Sequence, residues 1–245
     1  MKEKLYTIPI QDAFAKDCEC PVCEMYRKLE ENAINYTIGP GASYMEEDIR
    51  AQSDKEGFCQ KHLKMLYEYN NKLGLAMMLK TNMDRTIKEL EQVSKASLPQ
   101  PNSMFKKKEI PSHPITDYIE KSEKECFVCG YINQTFQSYL MTIFYLYERE
   151  EDFRKQFAEA KGFCINHYKV LFQQAPRYLN KKYLETFLTT LNQSFLNNYK
   201  RVRDDLEWFI RKNDYRYKEE PWKNGRDALP RALTKVGSIW NGEES

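Results

Sequence analysis

A chain of 245 residues with 38 Lys+Arg against 36 Asp+Glu has a net charge of only +2, which excludes the strong overall field of a nucleic-acid protein. Its composition, 41% hydrophobic and 30% charged, suits a globular protein with one large core or two of ordinary size. No apolar run approaches the ~18 residues of a membrane span, and no signal-peptide pattern follows Met1-Lys2-Glu3-Lys4, so a cytoplasmic protein with no membrane partner is expected.

In chain order, Pro9-Ile10-Gln11-Asp12 leads into Cys18-Glu19-Cys20-Pro21-Val22-Cys23. A helix is expected from about Pro21 to Ile38, broken by Gly39-Pro40-Gly41. Ser43 can cap a second helix from Tyr44 to about Lys55. After Gly57 a third starts near Cys59 and runs to about Lys72. A long amphipathic helix follows, with Leu73, Ala76, Met83, Ile87 and Leu90 on one apolar face. Ser97-Leu98-Pro99-Gln100-Pro101-Asn102-Ser103 ends it and opens a linker, where Lys106-Lys107-Lys108 reads as solvated. His113, beside Pro114, reads as a solvent-exposed surface residue.

The pattern then restarts. Pro114-Ile115-Thr116-Asp117 precedes Cys126 and Cys129. Helices are expected over Gly130 to Glu150 and Asp152 to Lys161, with Gly162 as a stop. A helix from Cys164 is ended by Pro176, and the last runs from about Asn180 to Lys212. Its face is Leu184, Phe187, Leu191, Phe195, Tyr199, Val202, Leu206 and Phe209, at gaps of three and four. No strand-like alternation of useful length occurs, so the fold class is all-α. Asp214 to Ser245 belongs to neither copy, and its two tryptophans, Trp222 and Trp240, suggest packing against the rest.

The repetition is an internal duplication. Asp48-x-Arg50-x-Gln52 before Cys59 matches Asp152-x-Arg154-x-Gln156 before Cys164, and Gly-Phe-Cys-x-x-His occurs in both copies. The separation from Cys23 to Cys59 is 36 positions and from Cys129 to Cys164 it is 35. Residues 5–98 and 112–212 are two copies of one module, joined by a linker over 99–111 and followed by a tail over 213–245. No third copy extends them into an array.

Six of the seven cysteines and two of the three histidines fall into this pattern. They read as two Cys3His metal sites, one per copy: Cys20, Cys23, Cys59 and His62, then Cys126, Cys129, Cys164 and His167. A Cys-x-x-Cys turn brings two thiolates to one ion, and a Cys-x-x-His pair in a helix's first turn adds a thiolate and an imidazole, with the helix terminus favouring the negative charge. Four such ligands suit tetrahedral zinc, two ions per chain, and leave no open position for catalysis. Gly57 and Gly162, two residues before the third ligand, allow the backbone to turn in. Iron–sulfur ligation and thiol–disulfide chemistry compete with zinc. The outline resembles a treble-clef finger, although about 30 helical residues stand where that fold has a β-hairpin.

Cys18 reads as a spare thiol that could exchange into the first site. Asp48, Arg50, Asp152 and Arg154 read as surface ion pairs or as contacts orienting the ligands. Lys64 and Lys169 read as solvated, Tyr67 and Phe172 as core, and the cluster from Tyr139 to Tyr147, with Phe144 and Tyr145, as a helix core. No phosphate loop, Gly-x-Ser-x-Gly or His-Glu-x-x-His appears. The functional expectation is a non-enzymatic binding or adaptor protein with a protein partner. The alternatives are a cysteine-based redox or metal sensor and an iron–sulfur protein. Behind them stand an enzyme using Arg226, Asp227 and Arg231 of the tail, and a nucleic-acid binder.

The ordered set Pro-Ile-x-Asp, Cys-Pro-Val-Cys, Asp-x-Arg-x-Gln and Gly-Phe-Cys-x-x-His, then its duplicate and the Glu220-Pro221-Trp222 tail, resembles an uncharacterised bacterial family of unknown function. The resemblance covers nearly the whole chain. It implies a bacterial cytosolic protein and no particular activity.

Overall fold

The computed structural model describes residues 6–41, 43–96 and 112–238; the linker over 99–111 and Trp240 lie outside them. The described residues hold eleven α-helices and no strand. They are α1 (Thr7–Ala15), α2 (Pro21–Ile38), α3 (Glu47–Glu56), α4 (Gln60–Glu68), α5 (Lys72–Val93), α6 (Pro114–Lys124), α7 (Phe127–Arg149), α8 (Glu151–Glu159), α9 (Ile165–Tyr178), α10 (Lys181–Lys212) and α11 (Ala228–Gly237). The fold is all-α, as the 3.6-residue periodicity implies. No described helix is long and apolar enough to cross a membrane.

Two compact units partition the chain. A terminal unit comprises Met1–Leu29 and Thr135–Ser245, and a central unit comprises Glu30–Gln134. Their boundaries fall inside α2 and α7, so compactness follows a different division from the sequence copies.

In the central unit, α5 packs on α3. The inward side of α5 carries Leu75 and Met78, whereas Leu73, Met83 and Ile87 of the expected apolar face are 73%, 61% and 53% exposed. Polar contacts select the side. Thr81 donates to the Asp54 carboxylate at 2.6 Å and Asn82 donates to the Asp54 carbonyl at 3.0 Å, which turns the Leu75–Met78 side toward α3. Asn71 caps α5 by accepting from the Gly74 N–H. Ser43 lies in a short 3-10 turn rather than capping a helix, and α3 starts at Glu47 with Glu47 and Asp48 in its first turn, where acidic groups meet the positive helix end.

His113 is buried, not surface-exposed. Its Nδ1 accepts the Ile115 N–H at 3.2 Å while Thr116 accepts the His113 N–H. It thus caps α6, a role that the following Pro114 at the first helical position supports.

The terminal unit is built on α10, which packs with α8, α9 and α11. Phe187, Leu191 and Val202 of its expected face are buried. They join an aromatic core in which Phe157 stands 4.9 Å from Phe187 and 5.2 Å from Phe163, and Phe14 stands 5.0 Å from Phe153. Burying each ring contributes roughly 1.5–3 kcal/mol. Tyr139, Phe144 and Tyr147 are core as expected, while Tyr145 is partly exposed. Tyr67 and Phe172 are not core: they are 64% and 41% exposed. Each follows a buried leucine, Leu66 or Leu171, and one helical step of about 100° carries it outward. Pro176 does not end its helix, since α9 continues to Tyr178. The proline removes only the bond to the Phe172 carbonyl, on a partly exposed turn where water can replace it.

Candidate metal centres

The eight expected ligands converge in two groups, but not copy by copy. Cys20, Cys23, Cys164 and His167 form site 1; Cys59, His62, Cys126 and Cys129 form site 2. Each Cys-x-x-Cys of one copy meets the Cys-x-x-His of the other. Site 1 lies wholly in the terminal unit and site 2 wholly in the central unit. The expected sets Cys20–Cys23–Cys59–His62 and Cys126–Cys129–Cys164–His167 are therefore re-partnered.

Local structure explains the shared geometry. Cys59 and Cys164 are the N-caps of α4 and α9 with the same backbone angles, φ −71° and ψ 161°. The Cys164 sulfur accepts the His167 N–H at 3.4 Å, so it uses a donor that the helix start leaves free. Gly57 and Gly162 have φ of +61° and +81°, conformations that a Cβ disfavours. At site 2 the Phe127 N–H donates to the Gly57 carbonyl at 3.0 Å, joining the two ligand-bearing loops.

The donor set fits a tetrahedral ion. Around zinc, bonds of about 2.3 Å to sulfur and 2.0–2.1 Å to nitrogen imply edges near 3.8 Å between sulfurs and near 3.5 Å between sulfur and nitrogen. At site 1, Cys23 and Cys164 sulfurs are 3.6 Å apart, and His167 Nδ1 stands 3.6, 3.3 and 3.2 Å from Cys20, Cys23 and Cys164. At site 2, Cys59 and Cys129 sulfurs are 3.9 Å apart, and His62 Nδ1 stands 3.3, 3.4 and 3.3 Å from Cys59, Cys126 and Cys129. In each site the four ligand atoms lie within 4.8 Å of one another.

The close-packed groups of each site are electrostatically coupled. Burial disfavours a charged His62, yet its contacts with the Cys126 sulfur and Glu30 raise it to about 9. Burial likewise opposes the Cys126 thiolate, but the His62 hydrogen bond brings it down to about 6. Cys129 moves oppositely, to about 12, through burial and the Cys126 charge. At site 1, hydrogen bonds from Cys20 and Cys23 hold Cys164 low, while its contacts with Cys164 and Cys20 push Cys23 up. In each site one thiol is held low and another pushed up, so three thiolates would stand together only with a cation between them, and the arrangement can hold a divalent metal ion.

The surroundings of the two histidines differ. At site 2, His62 Nε2–H donates to Glu30 at 3.1 Å, and Lys61 also reaches Glu30. Such a carboxylate fixes the tautomer that leaves Nδ1 free for a metal. Glu30 stands ten positions after Cys20; the equivalent residue ten positions after Cys126 is Phe136. At site 1, His167 accordingly meets rings, Phe136 at 5.7 Å and Tyr26 at 6.5 Å. Glu30 was missed at the motif level, and this mismatch between the copies is the signal that marks it.

Site 1 borders a cavity of about 270 Å³ lined by Cys18, Cys20, Cys23, Lys161, Asp227 and Arg231 among others. Cys18 is thus beside the ligands without being one of the four. Burial and the neighbouring Cys20 push its thiol up to about 11. Asp227 and Arg231 pair with each other at 2.9 Å, Arg231 also pairs with Asp205 at 2.7 Å, and Arg226 is exposed away from the lining. Lys235 of α11 is 2% exposed and reaches Glu19 and Lys161. Arg154, read as a surface ion pair or a contact orienting the ligands, donates to the Tyr147 carbonyl at 2.8 Å and closes the end of α7. Asp48 accepts the Ile49 N–H, and Asp152 faces Lys155.

No curated protein and no solved structure matches the chain. A family model matches residues 1–243. By that match over almost the whole length, the chain with these two crossed Cys3His centres belongs to the family of unknown function DUF6062.

Proposed function

We propose that the protein binds two zinc ions as structural elements and serves as a non-enzymatic binding or adaptor protein for another protein. The observation that carries the zinc reading is the pair of four-ligand clusters with near-tetrahedral edges. Three thiolates and one imidazole favour zinc over magnesium, calcium or manganese, which prefer oxygen ligands. Four protein ligands close the coordination sphere and leave the metal no substrate position. The protein-binding role is supported by apolar side chains left outward on helices, such as Leu73, Met83 and Ile87 on α5.

Elemental analysis with an absorption spectrum, on protein purified anaerobically without added metal, tests this reading. Two zinc per chain without visible bands is expected. Iron with broad visible absorption would replace zinc with an iron–sulfur assignment.

A redox role is the second reading, favoured by the half-exposed Cys59 and Cys129, whose sulfurs are 3.9 Å apart. Hydrogen peroxide would take two electrons from these thiolates, forming the S–S bond, becoming water and releasing the ion. Retention of zinc under mild peroxide would remove this reading.

A further inference from the structure

Lys235 is a buried ammonium with three donors, and it has three acceptors. They are the Glu19 carbonyl at 2.6 Å, the Lys161 carbonyl at 2.5 Å and the Glu19 carboxylate at 3.0 Å. Glu19 immediately precedes ligand Cys20, and Lys161 opens the Lys161-Gly162-Phe163-Cys164 turn. One side chain of α11 thus grips both ligand-bearing loops of site 1. Gly162 lies against the same place, where a Cβ would crowd the Ser194 carbonyl at 3.0 Å and touch the Lys235 Nζ at 3.4 Å.

The end of the same helix reaches a ligand directly. Ser238 Oγ stands 2.8 Å from the Cys164 sulfur. Asn166 donates to that oxygen at 3.0 Å, which leaves the hydroxyl proton for the sulfur. Ser238 has φ +58°, a left-handed conformation that residues with a Cβ avoid unless the surroundings impose it. Arg231 adds a third tie, pairing with Asp205 and standing 4.0 Å from Glu19.

We infer that α11 is a metal-dependent latch. The ion held by Cys20, Cys23, Cys164 and His167 keeps the two loops converged, their convergence creates the acceptor set for Lys235, and the seated helix in turn retains the ion. The inference rests on the metal-binding reading above. Its physical basis is that Lys235 tolerates burial only while all its partners are in place. If the Glu19 and Lys161 loops part, the ammonium loses acceptors and α11 must leave for water. Linkage is reciprocal, so weakening the latch also loosens the ion.

Two measurements test the latch. Hydrogen exchange of 228–238 is compared in wild type, Cys23→Ser and Cys59→Ser, each with its metal content determined. Loss of the site 1 ion in Cys23→Ser should expose these amides by tenfold or more, and loss of the site 2 ion in Cys59→Ser should leave them protected. Ser238→Ala, a small change at a half-exposed position, should speed release of one metal equivalent to a chromophoric chelator by roughly tenfold and leave the other unchanged. Unchanged α11 protection in Cys23→Ser, or unchanged release in Ser238→Ala, overturns the latch while leaving two metal sites. Wild-type protein without metal would remove the metal reading itself and the latch with it.

Discussion

Replacing Glu30 should weaken the ion at site 2 and spare site 1. His62 is 2% exposed, and its Nε2–H has Glu30 as its acceptor at 3.1 Å. Lys61, with a side chain 61% exposed, screens the carboxylate little and contributes little itself. Losing a partner that orients a metal-bound imidazole costs 10–100-fold in affinity, about 1.4–2.8 kcal/mol. Glu30→Gln keeps an acceptor and loses the charge, so it should fall near tenfold. Glu30→Ala leaves a buried N–H unpartnered and should fall nearer a hundredfold. Competition against a chelator of graded affinity, resolving the two equivalents, measures this. One equivalent should shift and the other stay, because Phe136 holds the corresponding place beside His167. Equal shifts of both equivalents, or no shift, would refute the assigned role of Glu30.

The two turn glycines should differ in sensitivity. Both have positive φ, so alanine costs about 1–3 kcal/mol of backbone strain at either. At Gly162 the new Cβ also stands 3.0 Å from Asn198 and the Ser194 carbonyl, whereas at Gly57 the nearest atom is 3.6 Å away. Chemical denaturation should therefore show Gly162→Ala as the more destabilising of the two. Glu24, with its side chain 2% exposed, pairs with Arg27 at 2.6 Å and Lys16 at 2.7 Å. Burial opposes its charge, but these cations prevail and lower its pKa below the ordinary 4.5. Its contribution is thus fully present above about pH 5.5 and lost as pH falls through the lowered value. Glu24→Gln should cost about 1–3 kcal/mol at neutral pH, with the difference from wild type shrinking in acid; a difference constant with pH would contradict the pairing.

The helices were legible because their apolar spacing is regular. α2 runs from Pro21 to Ile38 as read from the Gly39-Pro40-Gly41 break, and α10 buries Phe187, Leu191 and Val202 from its expected face. The residues of the two Cys/His clusters were legible because Cys-x-x-Cys and Cys-x-x-His have few other uses in combination. Their partnership was not. In a duplicated chain each Cys-x-x-Cys has two chemically equivalent Cys-x-x-His partners. Closing a loop of 141 residues from Cys23 to Cys164 instead of 36 from Cys23 to Cys59 costs only about 1 kcal/mol in chain entropy, which tertiary packing overrides. The inward side of α5 was hidden for a related reason: Asp54 selects it through Thr81 and Asn82, and no periodicity records a polar contact with another helix. Lys235 and Ser238 stand outside every motif, and their role exists only once Glu19 and Cys164 lie together.

Crossed pairing of the two copies is tested most directly by counting metal in paired cysteine variants. Cys23→Ser with Cys164→Ser removes two ligands of one site, and Cys23→Ser with Cys59→Ser removes one from each. Elemental analysis should find one ion per chain in the first and none in the second, against two in wild type. One ion in the Cys23/Cys59 variant and none in the Cys23/Cys164 variant would mean that each copy holds its own metal, contradicting the crossed centres.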